Sequence, residues 1–70
     1  MKMKPQKENY VTLSAAFKFA GFCETGGEAK QMIQNGAAFL NGAVCTQRGK
    51  KIFNGDMIGN GEKSVKIEIE

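Results

Sequence analysis

Seventy residues make one domain with a thin core, because a chain this short buries only roughly 60% of the surface its unfolded form exposes. The apolar share of 41% is ordinary for a soluble globular protein, and no apolar run approaches the ~20 residues that span a bilayer, so a soluble cytoplasmic protein without membrane association is expected. There is no histidine, and the two cysteines, Cys23 and Cys45, are far apart, which excludes a zinc site or a C-x-x-C redox pair within the chain and leaves no metal or cofactor expected.

The net charge of +3 is unevenly spread: +2 over Met1 to Tyr10, zero over Val11 to Gln47, +3 over Arg48 to Lys51 and −2 over Ile52 to Glu70. Residues 1–10 read as a flexible basic leader, since no apolar stretch follows to make a secretory signal. Residues 11–70 read as the single folded domain. A short first helix is expected where Leu13, Ala16, Phe17 and Ala20 share one face, with Thr12 as N-cap and Gly21 as C-cap. Thr25-Gly26-Gly27-Glu28 has the spacing of a capping box, in which Thr25 takes the amide of Glu28 and Glu28 reaches back to the amide of Thr25. The second helix carries Ala29, Met32 and Ile33 on one face, with Lys30 and Gln34 on another, and stops at Asn35-Gly36.

After Gly36 the period changes from helical to alternating. Asn41-Gly42 between Ala38-Phe39-Leu40 and Ala43-Val44-Cys45 predicts a two-residue hairpin. Asn54-Gly55-Asp56 and Asn60-Gly61 predict further turns around a short strand at Met57-Ile58, and Val65, Ile67 and Ile69 alternate with charged residues in a last strand. The fold class is therefore α+β, two N-terminal helices packed on a small antiparallel sheet.

Two segments have the chemistry to meet an anion. A helix start bare of side chains offers free N–H groups and a favourable dipole, and Gly26-Gly27 supplies the bareness. Three readings compete there: simple capping by Thr25 and Glu28, close packing of the glycine turn on the first helix, and ligand approach, against which the Glu28 charge acts. The glycines cost something in a helix, and capping alone does not account for them. Arg48-Gly49-Lys50-Lys51 places three cations on a flexible connection, either as a solvated loop or as a phosphate-binding footprint. Lys30 and Lys18 are ordinary exposed helix positions, although Lys30 lies one turn from the glycines. If Ala38 and Leu40 face the core, Phe39 points to the other side of the hairpin and can stack a base; the alternatives are that the C-terminal strand covers it or that the register is reversed. Tyr10 reads as a packing residue beside the first helix. The chain has no nucleophile with a plausible base and no paired carboxylates, and its glycines form no nucleotide-binding loop, so an enzyme is not expected and no residue is assigned a catalytic role.

Leu13-x-x-x-Phe17-Lys18-x-Ala20-Gly21, Thr25-Gly26-Gly27-Glu28-Ala29-Lys30-x-x-Ile33-x-x-Gly36, Leu40-Asn41-Gly42 and Arg48-Gly49-Lys50-Lys51-Ile52 together resemble the S4 domain of RNA-binding proteins. The likeness covers Thr12 to Ile58 and is greatest to small stand-alone bacterial members. It implies the alpha-L RNA-binding motif, used in a ribosomal small-subunit protein, pseudouridine synthases and some tRNA synthetases. It also implies a surface made by Thr25, Gly26, Gly27, Lys30, Arg48, Lys50 and Lys51, with ribosomal or transfer RNA as partner and a ribosome-associated setting. Two positions depart from the pattern. Gln47 stands where a second arginine is common, and Ala37-Ala38-Phe39 lacks a polar or basic residue between the apolar ones. The expected function is a non-catalytic, monomeric RNA-binding module. The alternative is an adaptor whose basic loop docks an acidic surface on a ribosomal or nucleic-acid-processing protein, and DNA binding is a third reading because the phosphate chemistry is shared.

Overall fold

A computed structural model of the chain describes residues 9–70. The element order is β1 (Tyr10–Thr12), α1 (Leu13–Phe19), α2 (Gly26–Gln34), β2 (Phe39–Leu40), β3 (Ala43–Val44), β4 (Lys51–Phe53), β5 (Met57–Gly59) and β6 (Ser64–Lys66). Residues 1–8, most of the expected leader, lie outside the described residues. Tyr10, the last residue of the expected leader, opens β1.

Both helices are delimited by the residues expected to delimit them. The Thr12 side chain accepts from the Ala15 amide at 3.3 Å, satisfying one of the donors that every helix start leaves free. At the other end Gly21 takes φ +82°. Its amide bonds the Lys18 carbonyl at 3.1 Å, and the Phe22 amide bonds the Phe17 carbonyl at 3.1 Å. This is a Schellman stop, and the apolar contact that accompanies such a stop is present as the edge-on Phe17–Phe22 pair, with ring centroids 5.0 Å apart. Asn35-Gly36 ends α2 in the same way, through Gly36 to Ile33 at 3.1 Å and Ala37 to Met32 at 2.9 Å. The capping box at the start of α2 is half as expected. The Glu28 amide donates to Thr25 Oγ1 at 3.1 Å, but the Glu28 carboxylate accepts from the amide of Glu24 at 3.4 Å rather than from that of Thr25.

Instead of one sheet the described residues form two, both antiparallel: a four-stranded sheet in the order β3-β2-β5-β6 and a two-stranded ribbon of β1 with β4. Asn41 and Gly42 take φ +52° and +88°, the paired left-handed geometry of a type I′ hairpin. β6 stops at Lys66, yet the alternation continues beyond it. Ile67 and Ile69 are buried while Lys66, Glu68 and Glu70 are exposed. Past β6 the chain is held by Ile67 N–H to the Asp56 carbonyl (2.7 Å) and Ile69 N–H to Asn54 Oδ1 (2.8 Å).

The ribbon is the element that sequence patterning did not anticipate. It pairs Tyr10 with Phe53, Val11 with Ile52 and Thr12 with Lys51. Val11 and Ile52 are fully buried on its inner side. They join Leu13, Ala16, Phe17, Ala29, Ile33, Ala38, Ile58 and Ile67 in one core that draws on both helices and both sheets. Each strand of the ribbon offers a single buried side chain. At about 1.5–3 kcal/mol per buried aliphatic side chain, the ribbon depends on that shared core rather than on its own pairing.

Candidate nucleic-acid interface

The cationic segment at residues 48–51 is not a loose loop. The Leu13 amide donates to the Lys50 carbonyl at 2.9 Å, and the Ser14 amide donates to the Arg48 carbonyl at 3.2 Å. Two free donors at the start of α1 are thus satisfied by main chain from the basic segment, which fixes where its side chains emerge. Lys51 lies in β4 and so belongs to a strand rather than to the connection.

This anchoring brings part of the expected surface together. Gly26, Gly27, Lys30, Arg48 and Gly49, with the hydroxyl residues Thr12 and Ser14, line one open depression of about 450 Å³. Thr12 Oγ1 and Ser14 Oγ are 3.3 Å apart. In the sequence Thr12 reads only as a cap, and Ser14 carries no distinguishing signal of its own. The signal available was a hydroxyl pair at the start of the first helix. Its relevance depended on a contact with residues 48 to 50 that only the fold makes.

The two glycines differ from those at the helix ends. Neither has a left-handed backbone; among the described glycines φ is positive at Gly21, Gly36, Gly42, Gly55 and Gly61. A Cβ built on Gly26 would meet nothing within 4 Å, and one on Gly27 would meet only Thr25 Oγ1 at 3.9 Å. Neither backbone strain nor packing against α1 therefore requires glycine at these positions. Their consequence is an unobstructed helix start facing the side of the molecule where Lys30 and Arg48 lie. Thr25 is exposed and does not line the depression; its hydroxyl is engaged in the cap.

Lys50 and Lys51 are directed elsewhere. With Phe53, Leu40, Asn41, Gln47, Gly49 and Asp56 they line a second depression of about 590 Å³. Gly49 is common to both, so the basic segment forms a ridge with Arg48 on one side and the two lysines on the other. Phe39 lies in a third place. It is half-buried on β2, opposite Val44 and Gly59, beside the turn at Gly61, where a Cβ would come within 3.6 Å of its ring. Ala38 is buried while Phe39 and Leu40 are both half-buried, and the depression Phe39 lines is a different one from that of Lys30 and Arg48.

Both cysteines are free thiols. Burial, and secondarily the nearby Glu28 carboxylate, push the Cys23 thiol above its usual pKa despite the opposing charge of Lys18, so it stays protonated at neutral pH. No cluster of three or more His, Cys, Asp or Glu among the described residues has the arrangement to hold a metal ion. No helix there is long and apolar enough to cross a membrane.

The structure is a short α+β domain with a bare helix start and a cationic ridge side by side. The family follows from the sequence match: the S4 domain model covers residues 4–68, and the chain belongs to the S4 domain family. S4 domains are in general RNA-binding modules. No curated protein matches the chain.

Proposed function

We propose that this protein is a non-catalytic module that binds structured RNA, ribosomal or transfer RNA, through the phosphate backbone, in the cytoplasm and in association with ribosomes. The observation that carries this reading is the depression lined by Gly26, Gly27, Lys30 and Arg48, in which the glycines have no other structural reason to be glycine. A phosphate entering it meets main-chain N–H groups at a helix start, two cations and the hydroxyls of Thr12 and Ser14. Such contacts position a nucleic acid without reading its bases. Thr25 contributes by holding the first turn of α2 in place. Lys50 and Lys51, on the far side of the ridge, extend the cationic track beyond a single phosphate.

About four phosphate contacts on single-stranded or looped RNA give a logarithmic salt slope near −3, so affinity is expected to fall roughly 50-fold between about 50 and 200 mM salt. The test is fluorescence anisotropy of a labelled stem-loop RNA across that range, with wild type and Lys30→Ala. Lys30→Ala should weaken binding to all sequences alike and make the slope shallower by about 1. Salt-independent binding, or unchanged affinity on reversing the charges of Lys30 and Arg48, sinks this surface. Affinity-tagged protein that retains its partners after nuclease treatment would favour the adaptor role instead.

A further inference from the structure

Of the described aromatic side chains, Phe53 is the most exposed. It is 47% exposed and alternates with Ile52, which is fully buried, so it occupies the wet face of the β1–β4 ribbon, where a polar residue is the usual occupant. Tyr10 stands directly across from it in the ladder, with ring centroids 5.9 Å apart. Lys51 Nζ lies 5.1 Å from the centre of the Tyr10 ring. Phe53, Lys50 and Lys51 line one depression together. Two aromatic rings and two cations therefore meet on one solvent-facing surface. The Asp56 carboxylate also lines it, but both oxygens are already engaged, by Asn41 Nδ2 at 3.3 Å and by the Phe53 amide at 2.8 Å.

We propose that the outer face of the ribbon is a stacking platform for an unpaired RNA base, with Phe53 as the surface on which the base lies, Tyr10 as its lateral support, and Lys50 and Lys51 holding the phosphates on either side of that nucleotide. The proposal rests on the RNA-binding reading above and adds a preference: RNA with an unpaired, splayed base over a continuous duplex. An aromatic face suits any base because every base has a π-face, whereas the flanking cations require the ligand to be anionic. Phe39, half-buried beside the Gly61 turn and remote from these lysines, is the weaker candidate for the same role.

The experiment compares two probes with the full-length chain: a stem-loop RNA, and the same stem as a blunt duplex. Phe53→Leu retains apolar packing against Tyr10 but removes the flat face. It should lower affinity for the stem-loop about tenfold and leave the duplex unaffected, whereas Phe53→Tyr should restore stem-loop binding. Tyr10 is the only tyrosine in a chain without tryptophan, so its emission should be quenched by the stem-loop and not by the duplex. Thermal unfolding of each variant separates loss of the platform from loss of the fold. Equal stem-loop affinity for wild type and a folded Phe53→Leu overturns the platform while leaving RNA binding intact. Failure of the wild type to bind either probe overturns both. Poly-glutamate binding with the same dependence on Phe53 overturns it in favour of an acidic protein partner.

Discussion

The start of α2 and the outer face of the β1–β4 ribbon both present cations to solvent, but in different company. Lys30 and Arg48 flank two glycines, main-chain amides and hydroxyls, with no aromatic ring among the residues lining that depression. Lys50 and Lys51 are accompanied by Phe53 and, across the ribbon, Tyr10. The first set suits phosphate, a small anion that needs close approach to backbone. The second suits a nucleotide, whose base needs a flat apolar face. Three cations adjacent in sequence are thus divided between two surroundings by the course of the chain through residues 47 to 51.

Reversing both charges beside the glycines is the severest test of this division. Lys30→Glu with Arg48→Glu should reduce affinity for stem-loop and duplex RNA alike, on the order of 10²-fold at low salt in a filter-binding assay. Lys50→Ala with Lys51→Ala should cost about tenfold with the stem-loop and less with the duplex. Equal losses on both probes would erase the distinction between the two faces.

Gly26→Ala with Gly27→Ala sharpens it further, because stability and binding should move in opposite directions. There is room for both methyl groups, so the helix should gain up to about 1 kcal/mol, visible as a rise in Tm of about 4–8 °C. RNA affinity should fall several-fold as the bare approach is lost. Thr25→Ala should lower stability alone, costing about 1 kcal/mol through loss of the cap. Anisotropy on the folded fraction should show affinity within about twofold of wild type, since its hydroxyl faces Glu28 rather than the depression.

The smallest expected effect concerns alkaline pH. The folded Cys23 thiol titrates above its unfolded value, so the unfolded chain loses its proton first as pH rises. The stabilisation is complete below the unfolded pKa and is lost as pH rises through the folded one. Urea titrations above neutral pH should therefore show a decline in stability that Cys23→Ala diminishes. Thiol-reactive reagents should modify the half-buried Cys45 before the buried Cys23.

Most of the helical part of the fold was legible from local patterning. Thr12, Gly21, Thr25 and Asn35-Gly36 act on backbone groups within a few residues of themselves, and short-range hydrogen bonding is what such residues encode. The Asn41-Gly42 hairpin was legible for the same reason. The ribbon was not. Val11 and Ile52 are single buried positions in three-residue strands, too short for an alternation to show, and their pairing joins segments about forty residues apart. Missing that pairing placed Tyr10 in a leader and Lys51 in a loop, and it concealed Phe53 altogether.

The candidate site divides along the same line. Sequence alone determined which residues to single out: Gly26 and Gly27 because capping does not account for them, Lys30 because it lies one turn away, and the cations at 48 to 51 because they cluster. Only the tertiary structure decided that Arg48 joins the glycines while Lys50 and Lys51 turn toward an aromatic face. The Arg48 and Lys50 carbonyls accept from the first amides of α1, and that unsatisfied helix start sets the direction in which each cation leaves the backbone.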